Sequence, residues 1–218
     1  MELLNKKILF LGDSITEGIG VSCEENRFSN RISALTGAVC INYGIGGTKI
    51  AKQTVPSEIA VWDRDFISRV DSMDAQADVV VVFGGTNDWG RGDAEFGNMD
   101  SRSPYTFYGA LHTLYKALIE KYPTSQIVIL TPLHRRKETD PAADGNRPNS
   151  FGILKDYVNA IREVAEYYSL PVLDLFKTSG IQPEIPIIRQ KYMPDALHPN
   201  DDGHKILADK IISFLQTL

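Results

Sequence analysis

Residues 78–83 of the chain read DVVVVF, an unbroken run of β-branched side chains that ends in an aromatic ring. β-branched and aromatic side chains favour strands, and a strand with no polar face is typical of a parallel sheet covered on both sides. The run stops at residues 84–88, GGTND, a small and polar turn. This stretch predicts a central parallel strand whose carboxyl end opens into a polar loop.

Further strand and helix patterns alternate on either side of this strand. Short apolar runs predict strands at residues 8–11, 39–43, 126–130 and 170–174. Apolar residues at helical spacing predict helices at residues 26–36, 56–73, 105–122, 151–168 and 202–215. Strands that alternate with helices over short links predict an α/β fold, a three-layer α/β/α sandwich around a parallel sheet. With no internal repeat or linker, residues 1–218 are expected to form one domain.

Composition narrows the functional classes. The chain has 218 residues, 43% hydrophobic and 23% charged, which is ordinary for a globular protein. Its net charge of -5, with no basic run longer than residues 135–137, argues against a nucleic-acid partner or an anionic membrane surface. Cys23 and Cys40 lack metal-ligand spacing and are interpreted as two reduced thiols.

The apolar segments are short. None approaches the roughly 18 apolar residues of a membrane span. The run after Lys6 and Lys7 is also too short for the core of a signal peptide. We therefore expect a cytoplasmic protein with no membrane span.

The first three predicted strands each end in a turn of small residues. The turns read GDS at 12–14, GIGGT at 44–48 and GGTND at 84–88. Because parallel strands place their carboxyl ends at one edge of the sheet, Ser14, Gly47 and Asn87 are expected to converge there. The alternative is that such turns simply favour Gly, Asn and Asp, which explains one turn more easily than three.

Ser14 is either a turn residue or a nucleophile. Acyl transfer needs hydrogen-bond donors aimed at the oxyanion that develops on the attacked carbonyl. The Asn87 amide and the N–H groups of Gly47 and Ser14 are candidates, since glycine lets the backbone approach a ligand closely. Asp13, the neighbouring carboxylate, is interpreted as a structural brace of the turn.

A histidine should be the general base. The four histidines are His112, His134, His198 and His204. His112 lies within a predicted helix and His204 in the first turn of another, so packed or solvated side chains are the simpler interpretation for both. His198 follows Asp195 by three residues in a loop, where the carboxylate can hold the imidazole Nδ1–H, and Pro199 keeps His198 out of a helix. Ordinary loop residues remain the alternative for this segment taken by itself.

Ser14, His198 and Asp195 together make a set that is recognised by chemical role rather than by chain order. Two rival motifs are absent from the sequence. Residues 12–16 lack the second glycine of a G-x-S-x-G elbow, and residues 44–49 have the wrong spacing for a phosphate-binding loop.

These residues resemble the SGNH (GDSL-type) hydrolases. The similar blocks, in the order of the family, are residues 12–16, 42–48, 84–88 and 195–199. The resemblance implies that Ser14 is the nucleophile, that Asp195 and His198 complete the triad, and that Gly47 and Asn87 join Ser14 in the oxyanion hole.

The resemblance also implies a flavodoxin-like sheet of order 2-1-3-4-5 and hydrolysis of carboxylic esters without a cofactor or metal. Two positions depart from the family. Ile15 stands where the family's name has Leu, and Gly46 stands where many members have Ser.

The substrate is less well defined. Trp89, two residues after Asn87, is expected to stack on a sugar or pack an acyl chain. The long loop at 132–150 is either a binding loop, with His134 and Arg135 near the substrate and Arg147 beyond them, or a solvated charged segment.

No broad amphipathic lid is evident, which favours short acyl esters, with an acetylated carbohydrate as the preferred substrate. Three alternatives stay open: an acyltransferase, a lysophospholipase or thioesterase with the same triad, and a non-catalytic flavodoxin-like binding module. The oligomeric state cannot be read from the sequence.

Overall fold

The computed structural model describes residues 1–142, 144 and 151–218. In this part of the chain five parallel strands form one sheet in the order β2-β1-β3-β4-β5, which confirms the predicted order. The strands are β1 (Lys7–Gly12), β2 (Val39–Gly44), β3 (Val79–Phe83), β4 (Gln126–Leu130) and β5 (Val172–Leu173). The central β3 is buried along its whole length, as its valine run predicts.

Helices cover both faces of this sheet. They are α1 (Ser14–Glu17), α2 (Phe28–Thr36), α3 (Phe66–Arg69), α4 (Thr86–Arg91), α5 (Phe107–Lys121), α6 (Leu154–Tyr167), α7 (Leu175–Thr178), α8 (Pro186–Tyr192) and α9 (Asp201–Thr217). Because successive strand side chains point to opposite faces, Val80 and Val82 pack with α3, α5 and α6, while Val79 and Val81 pack with α2 and α9. The fold is the predicted three-layer α/β/α sandwich.

The helix predicted at 56–73 is wrong. The chain instead forms a 3₁₀ turn at Ala60–Asp63, the short α3, and a second 3₁₀ turn at Val70–Ser72. Local polar bonds interrupt the helix, because the Asp63 carboxylate accepts the Ser57 N–H at 3.1 Å and the Asp65 side chain caps α3.

Two segments expected to be loops contain helical turns. The loop predicted from residue 89 begins inside α4, and the loop predicted over 176–200 contains most of α7 and all of α8. Pro186 starts α8, which is a favoured position because the missing proline N–H would be unpaired there anyway.

The helices were also compared with the length and apolarity that a membrane span requires. No helix within the described residues is both long and apolar enough to cross a bilayer.

Candidate active site

The strand-to-helix turn after β1 places Ser14 at the carboxyl edge of the sheet. Asp13 is the N-cap of α1, and its Oδ1 accepts the Ile15 N–H at 3.0 Å. A side chain at Gly12 would have its Cβ 2.0 Å from Thr16 Oγ1, so this tight turn requires glycine. Ser14 therefore begins a helical turn, with its side chain almost buried but able to reach a neighbour from another loop.

That neighbour is His198. Its Nε2 lies 3.1 Å from Ser14 Oγ, and its Nδ1 lies 2.7 Å from Asp195 Oδ2. The other carboxylate oxygen, Asp195 Oδ1, accepts the backbone N–H groups of Leu197 at 2.9 Å and His198 at 2.7 Å. The structure thus brings the three residues of the expected triad into one hydrogen-bonded chain.

The charge of Asp195 suits this arrangement. Burial by itself would raise the pKa of Asp195, but the bonds from the His198 N–H and ring and from the Leu197 N–H outweigh it and lower that pKa. An ionised carboxylate accepts the Nδ1–H, which leaves Nε2 as the acceptor for the Ser14 hydroxyl proton. The arrangement can therefore move a proton from Ser14 to His198.

Asn87 and Gly47 are the other two residues expected to donate hydrogen bonds to the oxyanion. Asn87 sits in the first turn of α4, and its amide donates one hydrogen to Thr48 O at 3.0 Å, which leaves the second for a ligand. Gly47 has a φ of +74°, a conformation that favours glycine. Within the described part of the chain, the Gly47 and Ser14 N–H groups donate to no protein acceptor.

Arg69 ties the ends of β1 and β2 to the loop beyond them. Its guanidinium donates to Tyr43 O at 2.8 Å, to Gly12 O at 3.1 Å and to Thr48 Oγ1 at 3.1 Å, and the side chain is buried. Burial lowers the pKa of Arg69 to about 10, with Asp13 opposing the shift. Arg69 thus remains charged at neutral pH and holds three strand-end groups in place.

Two carboxyl groups, those of Asp13 and Asp88, are buried next to Ser14 and Asn87 along the chain. Burial raises the pKa of Asp13 to about 7, and the negative charge of Asp88 adds to the shift. Burial also raises the pKa of Asp88 to about 6, although it accepts the N–H groups of Ile50 at 3.0 Å and Ala51 at 2.9 Å. Both side chains brace backbone rather than face solvent, in line with the structural role expected of Asp13.

Trp89 and Arg135 do not lie where a substrate could reach them. The Trp89 side chain is fully buried, so the expectation that its ring stacks on a substrate is wrong. Arg135 is also buried, with its guanidinium 5.0 Å from the centre of the Trp89 ring and 2.7 Å from Asp144. Successive residues of a helix are rotated by about 100°, so the side chains of Trp89 and Asn87, two positions apart, point in nearly opposite directions.

His134 has protein partners of its own. Its Nδ1 lies 2.9 Å from the Glu138 carboxylate, and its ring centre lies 3.9 Å from that of Phe176. The side chain is 23% exposed, so a contact with substrate stays a prediction. Arg147 lies outside the described residues.

Trp62 is the aromatic residue that the sequence reasoning missed. A Cβ added to Gly47 would lie 2.3 Å from Trp62 Cδ1, so the indole packs directly against this glycine. Arg91 covers the Trp62 ring at 5.1 Å, and the side chain remains partly exposed. Trp62 shares a regular apolar spacing with residues 59, 66 and 70, so the sequence pattern places it on the buried face of a helix and carries no signal of its contact with Gly47.

Comparisons with known proteins agree with this fold. Residues 10–206 match the model of the GDSL-like lipase/acylhydrolase family. A crystal structure of a 32% identical chain superposes with a TM-score of 0.86 and covers 100% of this chain and 99% of its own. A protein from Lactobacillus plantarum is 29% identical with a TM-score of 0.83, and 98% of each chain is covered.

More distant structures share the fold alone. The crystal structure of the acetyl xylan esterase AlAXEase is 22% identical, with a TM-score of 0.64, and the match covers 95% of this chain and 98% of that one. No curated protein matches the sequence significantly.

Proposed function

Because the chain belongs to the GDSL-like lipase/acylhydrolase family, we propose that it hydrolyses carboxylic esters through an acyl-enzyme on Ser14. The observation that carries the proposal is the 3.1 Å contact between His198 Nε2 and Ser14 Oγ. The 2.7 Å contact from Asp195 to the opposite ring nitrogen supports it, since an oriented base is what a serine nucleophile requires.

The reaction runs in two halves. Ser14 Oγ attacks the ester carbonyl carbon while His198 Nε2 takes its proton, and Asp195 stabilises the imidazolium that forms. The oxyanion accepts hydrogen bonds from the Ser14 and Gly47 N–H groups and from the Asn87 amide. As the tetrahedral intermediate collapses, His198 gives its proton to the departing alkoxide, and the alcohol leaves.

Water completes the cycle. His198 takes a proton from a water molecule that attacks the acyl carbon, and a second tetrahedral intermediate forms in the same oxyanion hole. Its collapse releases the carboxylic acid, and the proton returns from His198 to Ser14 Oγ.

Short acyl esters, above all acetyl esters of carbohydrates, are the substrates we propose. The structural similarity to an acetyl xylan esterase supports this class. So does Trp62, whose partly exposed ring beside Gly47 offers an apolar wall close to the reacting carbonyl. In this proposal Trp62, rather than the buried Trp89, contacts the substrate.

The first test is covalent labelling. A fluorophosphonate probe should label the wild-type protein and leave Ser14→Ala unlabelled, and Ser14→Ala should lose at least about 10³-fold in kcat on p-nitrophenyl acetate. Ser213→Ala, an exposed serine of α9, is the matched control and should behave as wild type. Undiminished labelling or turnover of Ser14→Ala would refute the mechanism.

A panel of esters tests the substrate class. Acetylated sugars should be turned over better than lysophospholipids or acyl thioesters, and Trp62→Ala should raise KM about fivefold while kcat changes little, since a lost ring contact of this kind costs about 1 kcal/mol. Preference for long acyl chains would exclude the proposed class. Transfer to an added alcohol faster than hydrolysis would instead identify an acyltransferase.

A further inference from the structure

Glu17 touches the backbone that carries the expected oxyanion donor. It is the last residue of α1, three positions after Ser14, and its Oε2 accepts the Gly46 N–H at 2.7 Å. Gly46 immediately precedes Gly47. We propose that Glu17 is a positioning residue that holds residues 46–47 so that the Gly47 N–H points at the oxyanion. This inference rests on the proposed function.

The space around Gly46 shows how closely the carboxylate fits. A Cβ at position 46 would lie 2.8 Å from Glu17 Oε2 and 3.6 Å from Ser14 Cβ. The carboxylate therefore occupies the place of a side chain at position 46, which gives a physical reason for glycine where many family members have serine. The backbone of Glu17 also packs tightly against the end of β2, since a Cβ added to Gly44 would lie 2.1 Å from the Glu17 backbone nitrogen.

Two adjacent glycines need such an anchor. Glycine has the largest conformational freedom to lose, and neither residue has a side chain that packing could hold. Besides the Trp62 ring, which packs against Gly47, the nearest contacts are hydrogen bonds on either side of the pair. The Ile45 N–H donates to Gly12 O at 3.1 Å, and the Thr48 carbonyl accepts the Asn87 amide.

The 2.7 Å bond is short, and it depends on a side chain long enough to bring an acceptor oxygen from α1 to the Gly46 N–H. It also takes the Gly46 N–H out of competition, so that the next N–H along the chain, that of Gly47, is the one presented to the ligand. The bond joins the nucleophile's own helical turn to the donor loop. Ser14 and Gly47 are thereby held at a fixed separation.

Three substitutions at one position separate reach from charge. Glu17→Ala removes the acceptor, Glu17→Asp keeps the charge but withdraws it by one methylene, and Glu17→Gln keeps an acceptor oxygen at the same reach. On p-nitrophenyl acetate, the Ala and Asp variants should lose at least about tenfold in kcat with KM within about threefold, as expected for weakened oxyanion stabilisation. Glu17→Gln should retain most of the activity. Glu24→Ala replaces an exposed glutamate that follows α1 in the chain. It is the matched control and should have wild-type activity.

The opposite ranking would overturn the proposal. An active Glu17→Asp beside an inactive Glu17→Gln would mean that kcat depends on the negative charge at position 17 and not on the hydrogen bond to Gly46. A folded Glu17→Ala with wild-type kcat would mean that kcat depends on neither. If Glu17→Ala fails to fold, the Asp and Gln pair still decides.

A double-mutant cycle gives an independent measurement. Gly46→Ala should lower kcat in the wild-type background, because its Cβ displaces the carboxylate, and should add little in the Glu17→Ala background, where that conflict is gone. Additive losses would overturn the coupling. A wild-type protein without esterase activity would remove the proposed function and this inference together, whereas an active wild type with unaffected Glu17 variants would remove this inference alone.

Discussion

The two halves of the site are built in different ways. The donor half, which carries the proposed oxyanion donors at the ends of β1, β2 and β3, is mostly buried, and Arg69 and Asp88 cross-link its loops over long stretches of sequence. The base half is a single turn at residues 195–198, in which the Asp195 side chain is 55% exposed and bonds only to its near neighbours among the described residues. One half is positioned by the core of the sandwich, and the other mainly by its own short loop.

Substitutions in the two halves should therefore differ in how they affect the free energy of unfolding and kcat. A buried polar group that loses its partner costs about 1–3 kcal/mol, whereas an exposed one exchanges its partner for water at little cost. Substitutions in the donor half should therefore lower both the free energy of unfolding and kcat, and those in the base half should lower kcat alone. The following predictions test that separation.

Asp195→Asn should show the largest effect on rate. An amide opposite Nδ1 favours the wrong imidazole tautomer, so we expect kcat on p-nitrophenyl acetate to fall by about 10³- to 10⁴-fold. The melting temperature should stay within about 2 °C of wild type, because the Asn oxygen still accepts the two backbone N–H groups of the turn. Asp209→Asn, an exposed carboxylate of α9, serves as the control. A large drop in melting temperature would contradict the local character of this half.

Asn87→Ala should come next and should affect both quantities. Loss of one oxyanion donor costs about 10²- to 10³-fold in kcat. Thr48 O also loses its buried donor, so the free energy of unfolding should fall by about 1–3 kcal/mol in urea titrations. Asn159→Ala, on the exposed side of α6, should change neither quantity. An inactive but fully stable Asn87→Ala would show that the amide does not brace the loop.

Arg69→Met tests the buried cross-link directly. It leaves three acceptors near the donor loop without their cation, and we expect a loss of about 2–4 kcal/mol in the free energy of unfolding. Arg102→Met is a matched control, because this exposed arginine also donates to two backbone carbonyls and should cost less than about 1 kcal/mol. Equal losses in the free energy of unfolding of the two variants would show that buried and exposed arginine hydrogen bonds stabilise the protein equally.

Asp13→Asn should change stability in a way that depends on pH. Burial raises the pKa of Asp13 to about 7, so between about pH 4 and 7 the folded chain holds a proton that the unfolded chain has released, and this contribution to stability is lost as pH rises. The asparagine keeps the N-cap but has no proton to lose.

The stability of Asp13→Asn relative to wild type should therefore increase with pH over that window, by at most about 1.4 kcal/mol per pH unit. Urea unfolding of both proteins at several pH values measures it. A difference that stays constant from pH 4 to 8 would mean that Asp13 is ionised in the folded protein throughout.

The sequence predicted best those features that depend on a few adjacent residues. The strands and their parallel arrangement followed from short apolar runs and their small-residue ends, of which β3 is the clearest. The order of the strands followed from the resemblance to the GDSL-type hydrolases. His198 and Asp195 could be paired from the sequence because their geometry is confined to one turn, and the structure places them 2.7 Å apart.

Contacts between distant segments could not be predicted in this way. Apolar spacing at 56–73 is compatible with a helix, and nothing in that spacing reveals that Asp63 and Asp65 close local turns or that Trp62 reaches Gly47. Trp89 was placed by its nearness to Asn87 along the chain, although the rotation of a helix directs the two side chains apart.

The contact between Ser14 and His198 also has a consequence for how the protein folds. It joins residues 184 positions apart, across the first and last parts of the described chain. Closing so long a loop is slow, and native contacts of large sequence separation retard folding. In the proposed mechanism, a chain emerging from the ribosome would thus acquire hydrolytic activity only after the turn at residues 195–198 has docked against α1. In refolding experiments, regained turnover should lag behind the return of helical circular dichroism, which makes the enzyme its own reporter of complete folding.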